Sequence, residues 1–415
     1  MAPSLVRRPL LAVAALALLA GALSPVTGSA SADPGAPTGG TAVAERRAAS
    51  GIQHTSWSRG RDWRAGTMRG VRTAKGSLLL KKPRSGKLHG RAYQAGSWTS
   101  PWASPGFGAT ELIPSWEAVT TGDSVVKVAV RARTADGRMS SWDSMAEWAL
   151  DNPAVRRQSL ASQSDDLGRV NVDTRVAAAP VTQWQVRVTL YRSATTKPLV
   201  RVDRVGAVAS AIAPRGSTPT STPGPAAGTV LDVPAYSQMT HSGHYPQWGG
   251  GGEAWCSPTS TAMVLGHYGL QPGPFPAVTA GHADPQVDHT ARLVYDHRYG
   301  GTGNWAFNTA YAATLTTGDA YVTRLRDLRE AEDFIVAGVP LVISVAFGAR
   351  QLTGAPISSS NGHLLVIVGF EADGDVVVND PAGATNGAVR RVYDRDQLED
   401  VWINASGGTA YAINR

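Results

Sequence analysis

Cys256 is the only cysteine of the 415-residue chain, and it opens a segment that is typical of a nucleophile at a helix start. Small residues follow it, apolar residues then recur at helical spacing, and Pro258 suits a first helical turn. The pattern predicts a helix that begins near Cys256 and ends near Gly269. A thiol at a helix N-terminus faces unpaired N–H groups and the positive end of the dipole, which favour the thiolate. A buried structural thiol is the alternative.

A thiol nucleophile needs a base, and His363 is the best placed of the nine histidines. It begins a strongly apolar run that predicts a strand, and Asp380 ends the next β-rich run. An Asp-Gly turn between the two runs indicates a hairpin. With the turn centred on Ala372 and Asp373, His363 and Asp380 lie at the same open end, about one diagonal step apart. Asp380 could then orient the imidazole, as in Cys–His–Asp triads.

Acyl transfer also needs a donor to the oxyanion. Gln238 lies upstream of the thiol, and Gln247, nearer in sequence, is a rival. His241 and His244 have metal-like spacing, but the sequence shows no third ligand. We therefore expect no metal and no cofactor. The glycine run at 249–252 lacks a following Gly-Lys-Ser/Thr and is better explained as a mobile loop than as a phosphate site.

Composition divides the chain into two halves. Residues 214–228 are rich in Pro, Ser, Thr and Gly and predict an extended linker between a domain at 46–213 and a domain at 229–415. Residues 33–225 carry 27 Lys and Arg against 14 acidic residues, whereas the rest of the mature chain is acidic. An anionic wall polymer or polysaccharide is the expected contact of the basic half, which could also be a solvated surface only. We expect no nucleic acid partner.

The first domain has the pattern of an all-β sandwich. Apolar and polar residues alternate at 126–133 and 184–191, turn signals recur, and long helical stripes are missing. Eight of the twelve tryptophans lie in this half. Exposed tryptophans could stack on sugars, but alternate strand positions favour the core.

The N-terminus predicts export. Two arginines precede an apolar run to Leu23, and the small residues 30–32 suit a cleavage site, so that 1–32 would be a signal peptide and 33–45 a disordered leader. We expect a secreted or wall-associated protein without a stable membrane span.

Four motifs around the chemical residues resemble those of the C39-like cysteine peptidase family: residues 232–238, 255–260, 361–364 and 379–381. The resemblance covers 229–415 and implies a papain-like α+β domain. It also implies roles for Cys256 as nucleophile, His363 as base, Asp380 as the group that orients the base, and Gln238 as the oxyanion residue. The expected function is hydrolysis of peptide bonds in a peptide or protein substrate. The alternatives are a cell-wall amidase or endopeptidase with the same triad, and a catalytically silent wall- or carbohydrate-binding protein.

Overall fold

The computed structural model describes residues 51–271 and 273–415. The predicted signal peptide and leader therefore lie outside the described residues. Within the described part, the first half of the chain forms fourteen strands: β1 (Ile52–Trp57), β2 (Thr67–Arg69), β3 (Val71–Ala74), β4 (Ser77–Leu80), β5 (Arg84–Leu88), β6 (Arg91–Thr99), β7 (Ala109–Thr120), β8 (Ser124–Thr134), β9 (Asp143–Trp148), β10 (Gln158–Ser159), β11 (Ser164–Asp165), β12 (Gly168–Asn171), β13 (Thr174–Ser193) and β14 (Val200–Ser210). One short helix, α1 (Gly60–Ala65), follows β1.

Strand β13 organises this domain. It pairs with β8 along one edge and with β6 and β7 along the other, so the antiparallel strands form one connected system. Alternate residues such as Val186 and Val188 are fully buried, as the period-2 pattern requires. Six of the eight tryptophans are also buried, namely Trp57, Trp63, Trp98, Trp116, Trp148 and Trp184. The predicted all-β class is confirmed, and most of the tryptophans belong to its core.

The second half is an α+β domain, as predicted. Its sheet has the order β15-β20-β16-β17-β18-β19 and is antiparallel throughout. The strands are β15 (Ala320–Arg324), β16 (Leu341–Phe347), β17 (Ser360–Phe370), β18 (Val376–Asn379), β19 (Arg390–Tyr393) and β20 (Thr409–Ile413). The helices are α2 (Cys256–His267), α3 (Pro285–Val294), α4 (Trp305–Ala312), α5 (Leu328–Val336) and α6 (Arg395–Glu399), which continues into a π turn (Asp400–Asn404). Short 3-10 turns lie at Gln238–His241, Gly252–Ala254 and Asn386–Ala388.

Helix α2 lies against β17, the strand that begins beside His363. The hydroxyl of Ser260 donates to the Leu364 carbonyl at 3.2 Å, which ties the first turns of the helix to the start of the apolar part of the strand. Helix α2 begins at Cys256, and Gly269 follows it with a φ of +68°. Both ends match the prediction, because Gly269 can adopt the left-handed conformation that stops a helix.

The segment at 214–228, predicted as an extended linker, packs on the second domain. Backbone N–H groups of Ser221 and Gly224 donate to Glu399 at 2.7 Å and Glu332 at 3.0 Å. Ala226 is fully buried. Proline-rich chain has few internal hydrogen bonds, so it can present its N–H groups to acidic side chains of a neighbouring surface.

The two domains share one hydrophobic core. The indoles of Trp116 and Trp148 contact the ring of Phe307 on α4, with centroid distances of 6.1 and 5.5 Å. Buried residues of both domains belong to the same cluster. The all-β domain is therefore part of the body on which the second domain is built. No helix in the described ranges is long and apolar enough to cross a membrane.

Candidate active site

The thiol of Cys256 lies at the first residue of α2, with its side chain only partly exposed. Trp255 occupies the N-cap position, and its buried indole donates to the Trp248 carbonyl at 2.7 Å, which fixes the chain entering the helix. Burial would raise the pKa of the thiol, but hydrogen bonding to His363 and its positive charge outweigh that effect. The N–H groups of Leu364 and Ser257 lower the pKa of Cys256 further, so it stands below its usual value.

His363 connects this thiol to Asp380. Its Nε2 lies 2.8 Å from the Asp380 Oδ1, and both side chains are almost fully buried. Nδ1 is then the nitrogen available to the thiol. Burial opposes a charged imidazole, yet the carboxylate and the thiol together raise the pKa of His363 to about 10. The arrangement favours an imidazolium beside a thiolate.

The hairpin places the pair as the turn prediction requires, with one irregularity. Val366 lies opposite Asn379, but a bulge between Ile367 and Gly369 shifts the pairing by one residue near the turn. The bulge is on the turn side of the site, so the open end keeps the predicted register and both side chains face the same way. The hydrophobic pattern alone did not indicate the bulge.

Two further groups hold the carboxylate. The Tyr393 hydroxyl on β19 donates to Asp380 Oδ2 at 2.7 Å, and the Ala382 N–H donates to Oδ1 at 3.0 Å. Burial raises the pKa of the carboxyl, but the imidazole and these donors outweigh it and lower the pKa of Asp380. Sequence reasoning did not assign Tyr393 a part in the site. Its position opposite Val376 in the next strand of the sheet is a long-range pairing without a local signal.

Gln238 lies beside both parts of the site. Its N–H donates to the Pro381 carbonyl at 2.8 Å, and its side-chain Nε2 donates to the Glu253 carbonyl at 2.7 Å, three residues before the thiol. The carbonyl partner identifies the nitrogen end of the amide, because only an N–H can donate there. Gln247 is exposed on the glycine-rich insertion. The structure therefore brings Gln238 to the segment before Cys256 and leaves the rival at the surface.

His241 and His244 have a partner that sequence reasoning missed. Their Nδ1 atoms each lie 2.9 Å from one oxygen of Asp288 on α3. The prediction that His241 and His244 lack a third metal ligand is wrong, because the Asp288 carboxylate contacts both imidazoles. Asp288 is more than forty residues downstream, so local spacing gave no indication of it.

A loop at 295–303 contacts the segment before Cys256, where the Thr302 hydroxyl donates to the Ala254 carbonyl at 3.5 Å, and the loop is held by the first domain. Asp296 accepts the N–H groups of Ser159 and Tyr299 through Oδ1, at 3.0 and 3.1 Å. Partial burial, followed by the charges of Asp173 and Cys256, raises the pKa of the Tyr299 phenol, which places this ring in the electrostatic neighbourhood of the thiol. The ring is nevertheless one of the most exposed large hydrophobic groups of the described chain.

Residues 230–410 match the model of the Peptidase_C39 like family. The C-terminal half belongs to the C39-like peptidases. Residues 53–210 match a second model, the Peptidase C39 N-terminal domain, so the all-β domain also has a counterpart in peptidases of this kind. The family predicted from the motifs at 232–238, 255–260, 361–364 and 379–381 is thereby confirmed.

No curated protein matches the chain. Among solved structures, one match is a crystal structure described as that of a C39-like peptidase from Bacillus anthracis, with 17% sequence identity and a TM-score of 0.30. The alignment covers 45% of this chain and 98% of that chain.

Proposed function

We propose that the protein is a secreted cysteine peptidase in which Cys256, His363 and Asp380 form the catalytic triad. One observation carries the proposal: the imidazole that is bonded to Asp380 at 2.8 Å also lowers the pKa of the Cys256 thiol. A nucleophile, a base and a group that orients the base are the arrangement that acyl transfer requires.

In the proposed reaction the Cys256 thiolate attacks the carbonyl carbon of the substrate, and a C–S bond forms. The tetrahedral oxyanion accepts from the Cys256 N–H and from the second N–H of the Gln238 amide, whose first N–H is bonded to Glu253. The C–N bond then breaks as His363 gives its proton to the leaving amine. Water, deprotonated by His363, hydrolyses the thioester and releases the thiolate. The chemistry uses no metal or organic cofactor.

The test of the nucleophile is the rate of alkylation by iodoacetamide as a function of pH. A thiol with an unperturbed pKa of about 8.5 loses reactivity about tenfold for each pH unit below that value. We expect Cys256 in the folded protein to lose less reactivity between pH 8 and pH 6 than a free thiol does, because His363 stabilises the thiolate and lowers the pKa of Cys256. His363→Ala should restore the steep profile of a free thiol.

Cleavage of a peptide library is the matched test of activity. We expect Cys256→Ala to abolish cleavage and His363→Ala to lower kcat/KM by about 10²–10⁴-fold, the usual contribution of a general acid–base. An unreactive thiol in the folded protein would indicate a catalytically silent binding protein. Cleavage confined to cross-linked wall peptides would instead assign the enzyme to the cell-wall amidases or endopeptidases.

Secretion is the remaining part of the proposal, and its support is the charged, apolar and small-residue order of residues 1–32. We expect the mature protein in the culture medium or wall fraction to begin at Asp33. N-terminal sequencing measures this directly. A mature chain that starts at Met1 would contradict it.

A basic surface on the all-β domain supports a second candidate partner, an anionic wall polymer. The guanidinium of Arg131 lies between the indoles of Trp102 and Trp142, at 5.1 and 4.6 Å from the ring centroids. Arg133 and Arg187 cover the same two rings at 4.6 and 3.9 Å. Among the described residues none of these three arginines forms an ion pair. The indole faces are occupied by cations, so the surface fits an anion better than a neutral sugar.

Sedimentation with purified cell wall tests this partner. We expect Arg131→Gln combined with Arg187→Gln to weaken binding severalfold, and binding of the wild type to fall as salt is raised. Arg138→Gln, an exposed arginine that is paired with Asp136, is the matched control and should leave binding unchanged. Wall binding that persists in the double variant would show that this surface is not the site that binds the wall polymer.

A further inference from the structure

His241, His244 and Asp288 form a compact cluster outside the triad. One nitrogen from each imidazole and one carboxylate oxygen all lie within 4.8 Å of one another. His241 and Asp288 are fully buried, and the His244 side chain is 22% exposed. The three residues come from two elements, the 3-10 turn with the segment that follows it and α3.

Lysine and arginine are absent from the cluster among the described residues, so its positive charge can come from the two imidazoles or from a metal ion. Asp288 is a fully buried carboxylate, and among the described residues no arginine or lysine forms an ion pair with it. Burying an ionised carboxylate without a cation is costly. A divalent cation between the three side chains would supply that charge.

The donor set indicates which class of cation fits. Two imidazole nitrogens and one carboxylate oxygen are the ligands of three-residue zinc sites, which leave a fourth position to water. Zn–N and Zn–O bonds are about 2.0–2.2 Å, so the ligand atoms of such a site lie roughly 3.3 Å apart. The present N–O separations of 2.9 Å need to open by only a few tenths of an ångström, whereas the ligand atoms that lie farthest apart, within 4.8 Å, would close by roughly 1–1.5 Å.

We propose that His241, His244 and Asp288 bind a divalent transition-metal ion of the zinc class, which fixes the glycine-rich insertion of residues 242–254 to α3. The 3-10 turn that ends at His241 begins at Gln238. At the other end of the insertion, Gly252 packs so closely on the His241 carbonyl that an added Cβ would lie 2.2 Å from its oxygen. The ion would therefore fix His241, on whose carbonyl Gly252 packs, and with it the segment whose Glu253 carbonyl accepts from the Gln238 amide.

The proposal does not depend on peptidase activity, so its test uses Cys256→Ala. This background removes the thiol and with it a competing site made by Cys256 and His363. After dialysis against a chelator, the protein is titrated with Zn²⁺ and its metal content is measured. We expect one bound equivalent and a rise in the thermal midpoint. Co²⁺ in place of Zn²⁺ should give visible absorption bands of a low-coordinate nitrogen and oxygen site.

Variants of the cluster decide the assignment. We expect His244→Ala to weaken zinc binding by more than the roughly 10–100-fold that loss of an outer-shell partner costs. Asp288→Asn should do the same, and the circular dichroism spectrum of each variant shows whether it is folded. His267→Ala, on the far end of α2, is the control and should bind like the parent.

The proposal would be overturned by failure of the Cys256→Ala protein to bind Zn²⁺ or Co²⁺, or by undiminished binding in folded His244→Ala. Zinc that binds only when Cys256 is present would also overturn it, since the ion would then occupy the thiol and His363. Limited proteolysis provides an independent readout. Zn²⁺ should protect residues 242–254 from cleavage in the parent but not in His244→Ala.

Discussion

The triad and the domain interface hold their polar groups in different ways. His363 and Asp380 are seventeen residues apart and are brought together by one hairpin within one sheet. The loop at 295–303, which contacts the segment before the same thiol, is held by groups more than a hundred residues away. The guanidinium of Arg157 in the first domain donates to the Tyr295 carbonyl at 2.9 Å, and Asp173 accepts the Trp305 N–H at 2.9 Å. The proposed triad lies in one half of the chain, but its surroundings are built by both.

This difference gives the basic β domain a structural part in the second domain. Its buried polar side chains form hydrogen bonds with backbone groups at the ends of α3 and α4 that have no partner within the helix. Asp173 accepts a hydrogen bond from the first N–H of α4, and Arg157 donates to carbonyls at the end of α3. We infer that the two domains unfold as one cooperative unit.

The largest effect is expected from Arg157→Met. The buried guanidinium donates to four backbone carbonyls, those of Ala149, Leu150, Arg292 and Tyr295. Methionine fills similar space but donates nothing, so these carbonyls lose their partner in a buried place. We expect a loss of about 3–4 kcal/mol in the free energy of unfolding, measured by urea denaturation.

Arg138→Met is the matched control for this variant. Arg138 is exposed, and its ion pair with Asp136 lies on the surface of the same domain. We expect no measurable change in its unfolding curve, because exposed ion pairs contribute little. If Arg157→Met instead unfolds the first domain while the second keeps its tryptophan fluorescence and activity, the two halves are independent.

The contrast also shows what the sequence could predict. The hairpin, the helix start at Cys256 and the pairing of His363 with Asp380 follow from local patterns, since turn chemistry and period-2 alternation act over few residues. Tyr393, Asp288 and Arg157 are polar residues in ordinary contexts, and only the tertiary fold shows that they are buried against a partner. The Pro-rich segment at 214–228 is similar: composition indicates an extended chain but not the acidic side chains that bind it.

A second prediction concerns Asp173 and the pH dependence of stability. Burial, opposed by the Trp305 N–H and the Thr174 hydroxyl, raises the pKa of Asp173 to about 6, above its unfolded value of about 3.9. The folded state therefore binds this proton more tightly. Its contribution to stability is complete below about pH 4 and is lost as the pH rises through about 6. Two pKa units correspond to about 2–3 kcal/mol.

Asp173→Asn removes this titration and keeps an oxygen for the Trp305 N–H. We expect the free energy of unfolding of the variant to depend less on pH between 4 and 6 than that of the wild type. The stability of the variant relative to the wild type should therefore be higher at pH 7 than at pH 4. Asp166→Asn, an exposed carboxylate nearby in sequence, should leave the profile unchanged. An identical slope in wild type and Asp173→Asn would show that the interface carboxylate is ionised throughout.

The smallest effect is expected at Tyr299, where the loop held by the first domain meets the site. The ring is 53% exposed, and it packs over Gly301, whose added Cβ would lie 2.7 Å from the ring. An exposed ring anchored beside the thiol is suited to contact a bound peptide. One such aromatic contact is worth about 0.5–1.5 kcal/mol, so Tyr299→Ala should raise KM roughly 2–10-fold and leave kcat unchanged. Tyr299→Phe keeps the ring and should behave like the wild type.

Alkylation distinguishes this role from an effect on the nucleophile. If Tyr299 contacts only the substrate, the rate at which iodoacetamide modifies Cys256 stays the same in Tyr299→Ala. A lower alkylation rate together with a lower kcat would mean that the loop acts on the thiol itself. In that case the first domain would affect both the chemical step and the binding of substrate, because its Ser159 N–H holds Asp296 of this loop.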